Sequence, residues 1–268
     1  MDKVVLITGA TSGLGKACAE YLSDRGLIVY GTGRRKMENT GKVKLLQMDV
    51  SQPDSVKAAV EQVIAEQGRI DVVVNNAGMG IGGAAELATL EEIRLQMQTN
   101  FMGTVHLCTA VLPHMRAAGG GTIVNVSSLG GVMGLPFQAF YSASKFAVEG
   151  YSEALSLEVN PFNIKICLIE PGDFATGFTA SRVLSKATQD SPEYAAQFAK
   201  TLVNIEKEEQ SGFKPEQLAK VLFRIINSKR PKFRYKVGNI VQVGFAMFKT
   251  WIPSRAYQYL LRFFYSMT

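Results

Sequence analysis

Residues 4–15 read VVLITGATSGLG, a short apolar run followed by a glycine-rich turn and the start of a helical pattern. Continuous apolar runs of this length are typical of strands that are buried on both faces of a parallel sheet. In the turn, glycine leaves room for backbone N–H groups and the positive end of a helix dipole to approach a phosphate. Such a segment can also be a plain tight turn, but its position between the first strand and the first helix favours dinucleotide binding.

The alternation of apolar runs with helical patterns continues along the chain. Strands are expected at Val4–Ile7, Ile28–Thr32, Val43–Met48, Asp71–Val74, Thr122–Val126, Ile164–Ile169 and, as a weaker signal, Phe233–Val237. Helical patterns lie between them at Gly13–Arg25, Pro53–Gln67, Thr89–Ala117 and Tyr141–Glu158. This order predicts an α/β fold with a doubly wound, parallel, seven-stranded sheet of the Rossmann type. One domain over residues 1–268 is expected, because no repeat or linker interrupts the pattern before about residue 173.

The strand signal disappears between residues 173 and 213, where a polar stretch contains helical patches such as Pro192–Glu208. Structureless loops of about 40 residues are rare inside compact domains. We therefore expect residues 173–213 to form a helical substrate lid.

The composition excludes several classes of protein. With 47% hydrophobic and 19% charged residues, the chain is not collagen-like, coiled-coil or wholly disordered. Cys18, Cys108 and Cys167 are far apart and form no CxxC pair, which argues against a disulfide framework or a zinc site and for a reducing compartment. With two histidines, His106 and His114, and no G-x-S-x-G motif, neither a multi-histidine metal centre nor a serine hydrolase is expected. The first residues resemble no secretion signal, which predicts a cytoplasmic protein.

Positive charge is concentrated in the C-terminal part of the chain. Residues 1–213 contain 18 basic and 22 acidic residues, whereas residues 214–268 contain 11 basic residues, one acidic residue and 11 of the 25 aromatic residues. The weakly charged stretch Val237–Phe248 is shorter than the roughly 20 residues of a membrane-spanning helix. Ser254 is expected to cap a short helix after Pro253. Residues 237–268 therefore predict peripheral membrane contact, with subunit packing as the alternative and nucleic-acid binding disfavoured.

Several short motifs follow one another in the order of a known family. They are Thr8–Gly15 with the spacing T-G-x-x-x-G-x-G, Asp49-Val50, Asn75–Gly78, Asn100, Ser128, Tyr141-x-x-x-Lys145 and Pro171-Gly172. Together they resemble the short-chain dehydrogenase/reductase family over about residues 3–176. The resemblance implies a homodimer or homotetramer and a nicotinamide dinucleotide cofactor. The cofactor contacts that it implies are Gly9, Thr11, Ser12, Gly13, Leu14 and Gly15 in the turn, Asp49 and Val50 at the adenine, Asn76, Ala77 and Gly78 along the cofactor, Tyr141 and Lys145 at the ribose, and Pro171, Gly172 and Thr176 at the nicotinamide.

The end of the second predicted strand indicates which dinucleotide is bound. An NAD enzyme usually has an acidic residue here for the adenine ribose hydroxyls, but the first acid is Glu38. Arg34 stands where a guanidinium could bind the additional 2′-phosphate of NADP, and Arg35 and Lys36 add positive charge. The sequence therefore predicts NADP(H) rather than NAD(H).

Four residues form the predicted catalytic site. Tyr141 and Lys145 are four positions apart in a helical pattern, so they share a helix face, and a nearby ammonium should lower the pKa of the phenol. Tyr141 would then protonate a carbonyl oxygen as general acid, or act as base in the reverse direction. The resemblance places Ser128 at the same oxygen, with Ser127 as its structural neighbour. For Asn100 it implies an anchor for a proton-relaying water, and a hydrogen bond at a helix interface is the alternative.

The residues around this predicted site are apolar. They include residues 131–137, residues 79–81, Phe174 and Phe178, without an arginine that could bind a substrate carboxylate or phosphate. This favours a small apolar ketone, aldehyde or alcohol as substrate. The stretch 130–145 also resembles the hydroxysteroid and retinol dehydrogenase branch, which implies a steroid, retinoid or other lipid. An oxoacyl thioester reductase and a non-catalytic NADP(H)-binding sensor are the alternatives.

Overall fold

The protein is described by a computed structural model that covers residues 2–35, 37–39 and 41–267. Its strands are β1 Val4–Ile7, β2 Ile28–Gly33, β3 Lys44–Gln47, β4 Val72–Asn75, β5 Ile81–Gly82, β6 Gly121–Val126, β7 Ile164–Pro171, β8 Val183–Leu184 and β9 Arg234–Val237. Within these residues, seven strands pair in parallel in the order β3-β2-β1-β4-β6-β7-β9, and the short strands β5 and β8 form a separate pair. The predicted doubly wound, seven-stranded α/β sheet is confirmed.

The apolar runs are continuous because the central strands are covered on both faces. All four residues of β1 and all four of β4 are buried, and Val5 of β1 pairs with Val29 on one side and Val72 on the other. At the sheet edge, β3 has Lys44 and Gln47 exposed. Polar residues at an edge strand hinder pairing with further strands.

Eleven α-helices connect and cover the strands in the described part of the chain. They are α1 Gly13–Ser23, α2 Pro53–Gln67, α3 Leu90–Met97, α4 Gly103–Ala117, α5 Ala139–Val159, α6 Phe178–Ser181, α7 Lys186–Gln189, α8 Ala195–Gln210, α9 Pro215–Asn227, α10 Ile240–Phe248 and α11 Ser254–Phe264. One apolar cluster packs α1 and α9 on one face of the sheet, and a second packs α2, α4 and α5 on the other. Successive residues of β1 alternate between the two clusters, because side chains of a strand point to opposite faces.

The helix that was expected over Thr89–Ala117 is interrupted. Thr89 caps α3 by accepting a hydrogen bond from the Glu92 backbone, and a π-helical turn, Gln98–Met102, separates α3 from α4. Asn100 lies in this turn and is buried. Single π-turns inside helices are frequent at functional sites.

Two features of the C-terminal part concern earlier predictions. Pro253 is the N-cap residue of α11 and Ser254 is already its first helical residue, so the predicted Ser254 cap was wrong by one position. None of the helices in the described residues has the length and apolar character that crossing a bilayer requires.

Candidate active site

A cavity of about 800 Å³ lies at the carboxyl ends of the central strands. In a doubly wound sheet, ligands bind at this edge, where the strand order reverses. The wall of the cavity begins at the glycine-rich turn after β1 and continues to α8, α10 and α11. We call the first part the cofactor end and the second part the substrate end.

The turns after β1 and β4 are bound together at the cofactor end. Thr8 Oγ1 accepts hydrogen bonds from the backbone N–H of Asn76 at 2.9 Å and of Ala77 at 2.8 Å. The side-chain amide of Asn76 donates to the Thr8 carbonyl at 2.9 Å. These bonds hold the glycine-rich turn against the end of β4.

Two glycines in this turn leave no space for a side chain. Gly9 has a φ of +66°, and a Cβ on it would lie 3.0 Å from Ala77 Cα. A Cβ on Gly15 would lie only 2.3 Å from the Gly9 carbonyl oxygen. Glycine at these two positions therefore allows the turn to pack against the end of β4 and the start of α1. Residues 11–14 of the turn line the cavity at the N-terminus of α1, a position that fits the pyrophosphate of a dinucleotide.

The structure brings nearly all of the predicted cofactor residues to one cavity. Those that line it are Gly9, Thr11, Ser12, Gly13, Leu14, Arg34, Asp49, Val50, Asn76, Ala77, Gly78, Tyr141, Lys145, Pro171, Gly172 and Thr176. Gly15 lies behind the wall, where it allows the close approach of α1 to the turn. Arg35 is exposed and outside the lining, and Lys36 lies outside the described residues.

Ser128, Tyr141 and Lys145 meet in the middle of the cavity wall. Ser128 follows β6, while Tyr141 and Lys145 lie one turn apart on α5 and line the same cavity. Lys145 Nζ donates to the Val126 carbonyl at 2.9 Å and lies 6.0 Å from the centroid of the Tyr141 ring. The Ser128 hydroxyl accepts from the Gly130 N–H at 3.0 Å and is also a hydrogen-bond partner of the Tyr141 hydroxyl.

The prediction that the pKa of Tyr141 is lowered was wrong. Burial raises the pKa of Tyr141 above its ordinary value, and the hydrogen bond with Ser128 opposes that shift. Burial also lowers the pKa of Lys145 to about 8, partly offset by the Glu149 carboxylate. Burial therefore dominates, because it penalises the charged form of each group.

Asn100 is bound to the protein instead of lining the cavity. Its Oδ1 accepts from the Met79 N–H at 2.9 Å, and its Nδ2 donates to the Met79 carbonyl and to Ser144 Oγ, each at 3.0 Å. A Cβ built on Gly78 would lie 3.3 Å from Asn100 Oδ1 and 3.7 Å from Lys145 Nζ, so both groups border Gly78. Asn100 therefore forms the hydrogen bonds at a helix interface that were expected as the alternative to a water anchor. It does so beside Lys145.

The substrate end is lined by apolar side chains from separate parts of the chain. They are Leu129, Met133, Leu135, Phe174, Phe178, Phe245, Leu261 and Phe264. The last three belong to α10 and α11, which the sequence did not connect with the cavity. Two hydrogen bonds hold this segment on α8: Asn204 Nδ2 donates to the Phe264 carbonyl at 2.6 Å, and Gln197 Nε2 to the Ser266 carbonyl at 2.9 Å.

The substrate end also contains charged residues, which the sequence did not connect with the cavity. Asp173, Glu208 and Glu209 line it, and Arg182 forms a buried ion pair with Glu209. The Arg182 guanidinium also lies 5.8 Å from the centroid of the Phe178 ring. No sequence pattern indicated this ion pair, because Arg182 and Glu209 are 27 residues apart in the chain and meet only when the segment after α6 packs against α8.

Comparisons with known proteins agree with this geometry. The family described as short chain dehydrogenase matches residues 3–187. A 3-ketodihydrosphingosine reductase from Bacteroides thetaiotaomicron is 58% identical over 265 residues, which are 99% of this chain and 98% of the relative. A solved short-chain dehydrogenase from Streptomyces avermitilis has a TM-score of 0.81 and 33% identity, covering 92% of this chain and 91% of its own. A 3-ketoacyl-(acyl-carrier-protein) reductase from Brucella melitensis, complexed with NADH, has a TM-score of 0.73 and 26% identity, covering 88% and 96%.

Proposed function

Because the chain belongs to the short-chain dehydrogenase/reductase family, we propose that it reduces the ketone of 3-ketodihydrosphingosine, a long-chain amino ketone, with NADPH. The chain is an oxidoreductase that acts on CH–OH groups and the corresponding carbonyls, as the family does. The main observation behind this proposal is the 58% identity to a 3-ketodihydrosphingosine reductase over 99% of this chain. This span includes the substrate end of the cavity.

The residues of the cavity wall suit the reduction of a ketone. When bound, NADPH would supply the hydride that reduces the carbonyl carbon. Tyr141 would donate a proton to the carbonyl oxygen, and Ser128 would donate a hydrogen bond to the same oxygen. Burial raises the pKa of Tyr141, so the phenol holds its proton at neutral pH and is present as the donor. Lys145, held by the Val126 carbonyl, would place its ammonium beside the cofactor ribose.

The preference for NADPH over NADH rests on Arg34. Its side chain is exposed and lines the mouth of the cavity at the end of β2, where NAD enzymes have an acid. A guanidinium there can form two hydrogen bonds with a 2′-phosphate.

An oxoacyl thioester reductase is the second candidate, and the similarity to the Brucella reductase favours it. The carboxylates at the substrate end oppose it, because thioester carriers and coenzymes bear phosphates. A sensor that binds the cofactor without turnover would not need Ser128, Tyr141 and Lys145 together, so we place it last.

The experiment is a substrate panel with purified protein. Consumption of NADPH and of NADH would be followed with 3-ketodihydrosphingosine, a 3-ketosteroid, a retinal and a 3-oxoacyl thioester. The proposal expects the highest kcat/KM for 3-ketodihydrosphingosine with NADPH. A steroid, retinal or thioester that is reduced at least as efficiently would overturn it.

The C-terminal segment, residues 237–267, supports a further part of the proposal, namely peripheral binding to anionic membranes in the cytoplasm. Eight of the sixteen large apolar side chains that are exposed among the described residues lie between Ile240 and Phe263. The basic residues Lys249, Arg255 and Arg262 lie in the same segment, without an acid. A helical surface of this kind binds anionic lipid, which would bring the enzyme to a lipid substrate. Residues 173–213 would act as the lid, and a homodimer or homotetramer stays a proposal from the family.

A further inference from the structure

Asp173 lies where the cofactor end and the substrate end of the cavity meet. It directly follows Pro171 and Gly172 at the end of β7 and lines the cavity together with Tyr141. Gln242 of α10 holds it twice, since its Nε2 donates to Asp173 Oδ2 and its Oε1 accepts from the Asp173 N–H at 3.1 Å. Among the described residues, Asp173 Oδ1 has no hydrogen-bond partner, which leaves one carboxylate oxygen for a ligand.

The charge around Asp173 is not balanced by the protein. The carboxylate of Glu209 is paired with Arg182 and accepts from Thr179 Oγ1 at 2.6 Å, whereas Asp173 and Glu208 have no ion-pair partner among the described residues. A net negative charge therefore remains in this part of the cavity wall. Both carboxylates are partly buried, and a carboxylate that is partly removed from water is stabilised when a ligand supplies a positive charge.

Arg182 lies near Asp173 but does not neutralise it, because its guanidinium is paired with Glu209. Its side chain is 2% exposed, yet Nε and Nη1 have no hydrogen-bond partner in the described part of the chain. Arg182 lies close enough to this end of the cavity to influence the pKa of both Tyr141 and Asp173. Arg182 is not among the residues that line the cavity, and its effect on the pKa of Asp173 is smaller than the opposing effects of Glu209 and Glu208, so the negative charge prevails at the cavity wall.

We propose that Asp173 is the specificity-determining residue of this enzyme and binds the protonated amine next to the ketone of its substrate. This inference rests on the proposed function. In a 2-amino 3-ketone the nitrogen is attached to the carbon beside the carbonyl. When Tyr141 and Ser128 hold the carbonyl oxygen, the ammonium therefore lies a few ångströms from that oxygen, in the same cavity that Asp173 lines.

The ionisation of Asp173 is consistent with a cationic ligand. Burial, reinforced by Glu209, raises the pKa of Asp173 to about 6, so the carboxylate is mostly ionised at neutral pH although its surroundings disfavour the charge. An ammonium would relieve this penalty and gain a charge-assisted hydrogen bond. A neutral ketone of the same chain length would not.

The test compares two ketones in two variants. The substrates are 3-ketodihydrosphingosine and its 2-deamino analogue, a 1-hydroxy 3-ketone of equal chain length. Asp173→Asn keeps an oxygen that can accept from Gln242 but removes the charge. Asp190→Asn, at an exposed carboxylate of the same lid, is the matched control. Melting temperature and NADPH affinity of each variant verify that it is folded.

We expect the wild type and Asp190→Asn to prefer the amino ketone in kcat/KM. In Asp173→Asn the ratio of the two kcat/KM values should fall by about 10- to 100-fold, mainly through KM, because the ammonium loses its negatively charged acceptor. An unchanged ratio in a folded Asp173→Asn would overturn the role of Asp173 while the proposed function stands. A wild type that reduces neither ketone would instead overturn the proposed function.

Discussion

The two ends of the cavity are built from different kinds of structure. At the cofactor end the wall is largely backbone, and two turns after β1 and β4 are joined through Thr8 and Asn76. At the substrate end the wall consists of side chains from α6, α8, α10 and α11, which come from distant parts of the chain. A binding site made of turn backbone depends on a few glycines. A binding site made of side chains from packed helices can change its specificity through single substitutions.

The largest effect on cofactor binding is expected from a methyl group at the cofactor end. Gly15→Ala would place a Cβ 2.3 Å from the Gly9 carbonyl oxygen and 2.4 Å from Asn76 Nδ2, so the two turns must separate. We expect NADPH affinity to fall by about 100-fold, measured by fluorescence titration. Gly150→Ala is the control, because Gly150 lies in α5 with no atom within 4 Å of a Cβ. Equal NADPH affinity in both variants would contradict the proposal that the backbone of the glycine-rich turn binds the cofactor.

A side chain at the cofactor end should have a more selective effect. Arg34→Ala is expected to raise the KM for NADPH by about 10- to 100-fold and to leave the KM for NADH unchanged, since only NADPH carries the 2′-phosphate. Arg35→Ala is the matched control, because Arg35 is exposed but does not line the cavity. A constant ratio of the two KM values in Arg34→Ala would exclude the proposed role of Arg34.

The outer face of the substrate end can be tested without opening the cavity. Trp251 and Phe263 are 83% and 70% exposed, and Leu157, on α5, is 79% exposed. The double variant Trp251→Ser/Phe263→Ser should reduce sedimentation with anionic vesicles by about 10-fold, whereas Leu157→Ser should not. If the double variant instead changes the molecular mass in light scattering and not the vesicle binding, the segment packs against another subunit.

The last effect concerns stability at the substrate end. The pKa of Asp173 is raised from 3.8 to about 6, so the folded protein holds this proton more tightly than the unfolded chain does. The ionised carboxylate therefore costs stability above about pH 6, and the cost disappears below about pH 4. Asp173→Asn should be more stable than the wild type by about 2 kcal/mol near pH 7.5 and equally stable near pH 4.

Calorimetry at the two pH values measures this difference. Glu208, Glu209, Arg182, Tyr141 and Tyr265 also influence this region, and they are the same in both proteins, so the comparison isolates Asp173. Asp190→Asn should show no such pH-dependent gain. A variant that is less stable than the wild type near pH 7.5 would show that the carboxylate is already compensated within the protein.

The difference between local and long-range structure also explains which features could be predicted from the sequence. The sheet, the glycine-rich turn and the shared helix face of Tyr141 and Lys145 depend on neighbouring residues, so local patterns predicted them. The direction of the Tyr141 pKa depends on burial by distant segments, and it could not be predicted from the residue four positions away. Asp173 lies between the predicted cofactor contacts Gly172 and Thr176, but its proposed role depends on its position beside Gln242, which is 69 residues away.

The most direct test of the account is turnover of 3-ketodihydrosphingosine in Tyr141→Phe, with Tyr21→Phe as a control outside the cavity. Loss of a general acid typically costs about 10²- to 10⁴-fold in rate. We predict that Tyr141→Phe binds NADPH as the wild type does and that its kcat falls within this range, while Tyr21→Phe keeps its full rate. Near-native turnover by a Tyr141→Phe protein with normal NADPH binding would contradict the account.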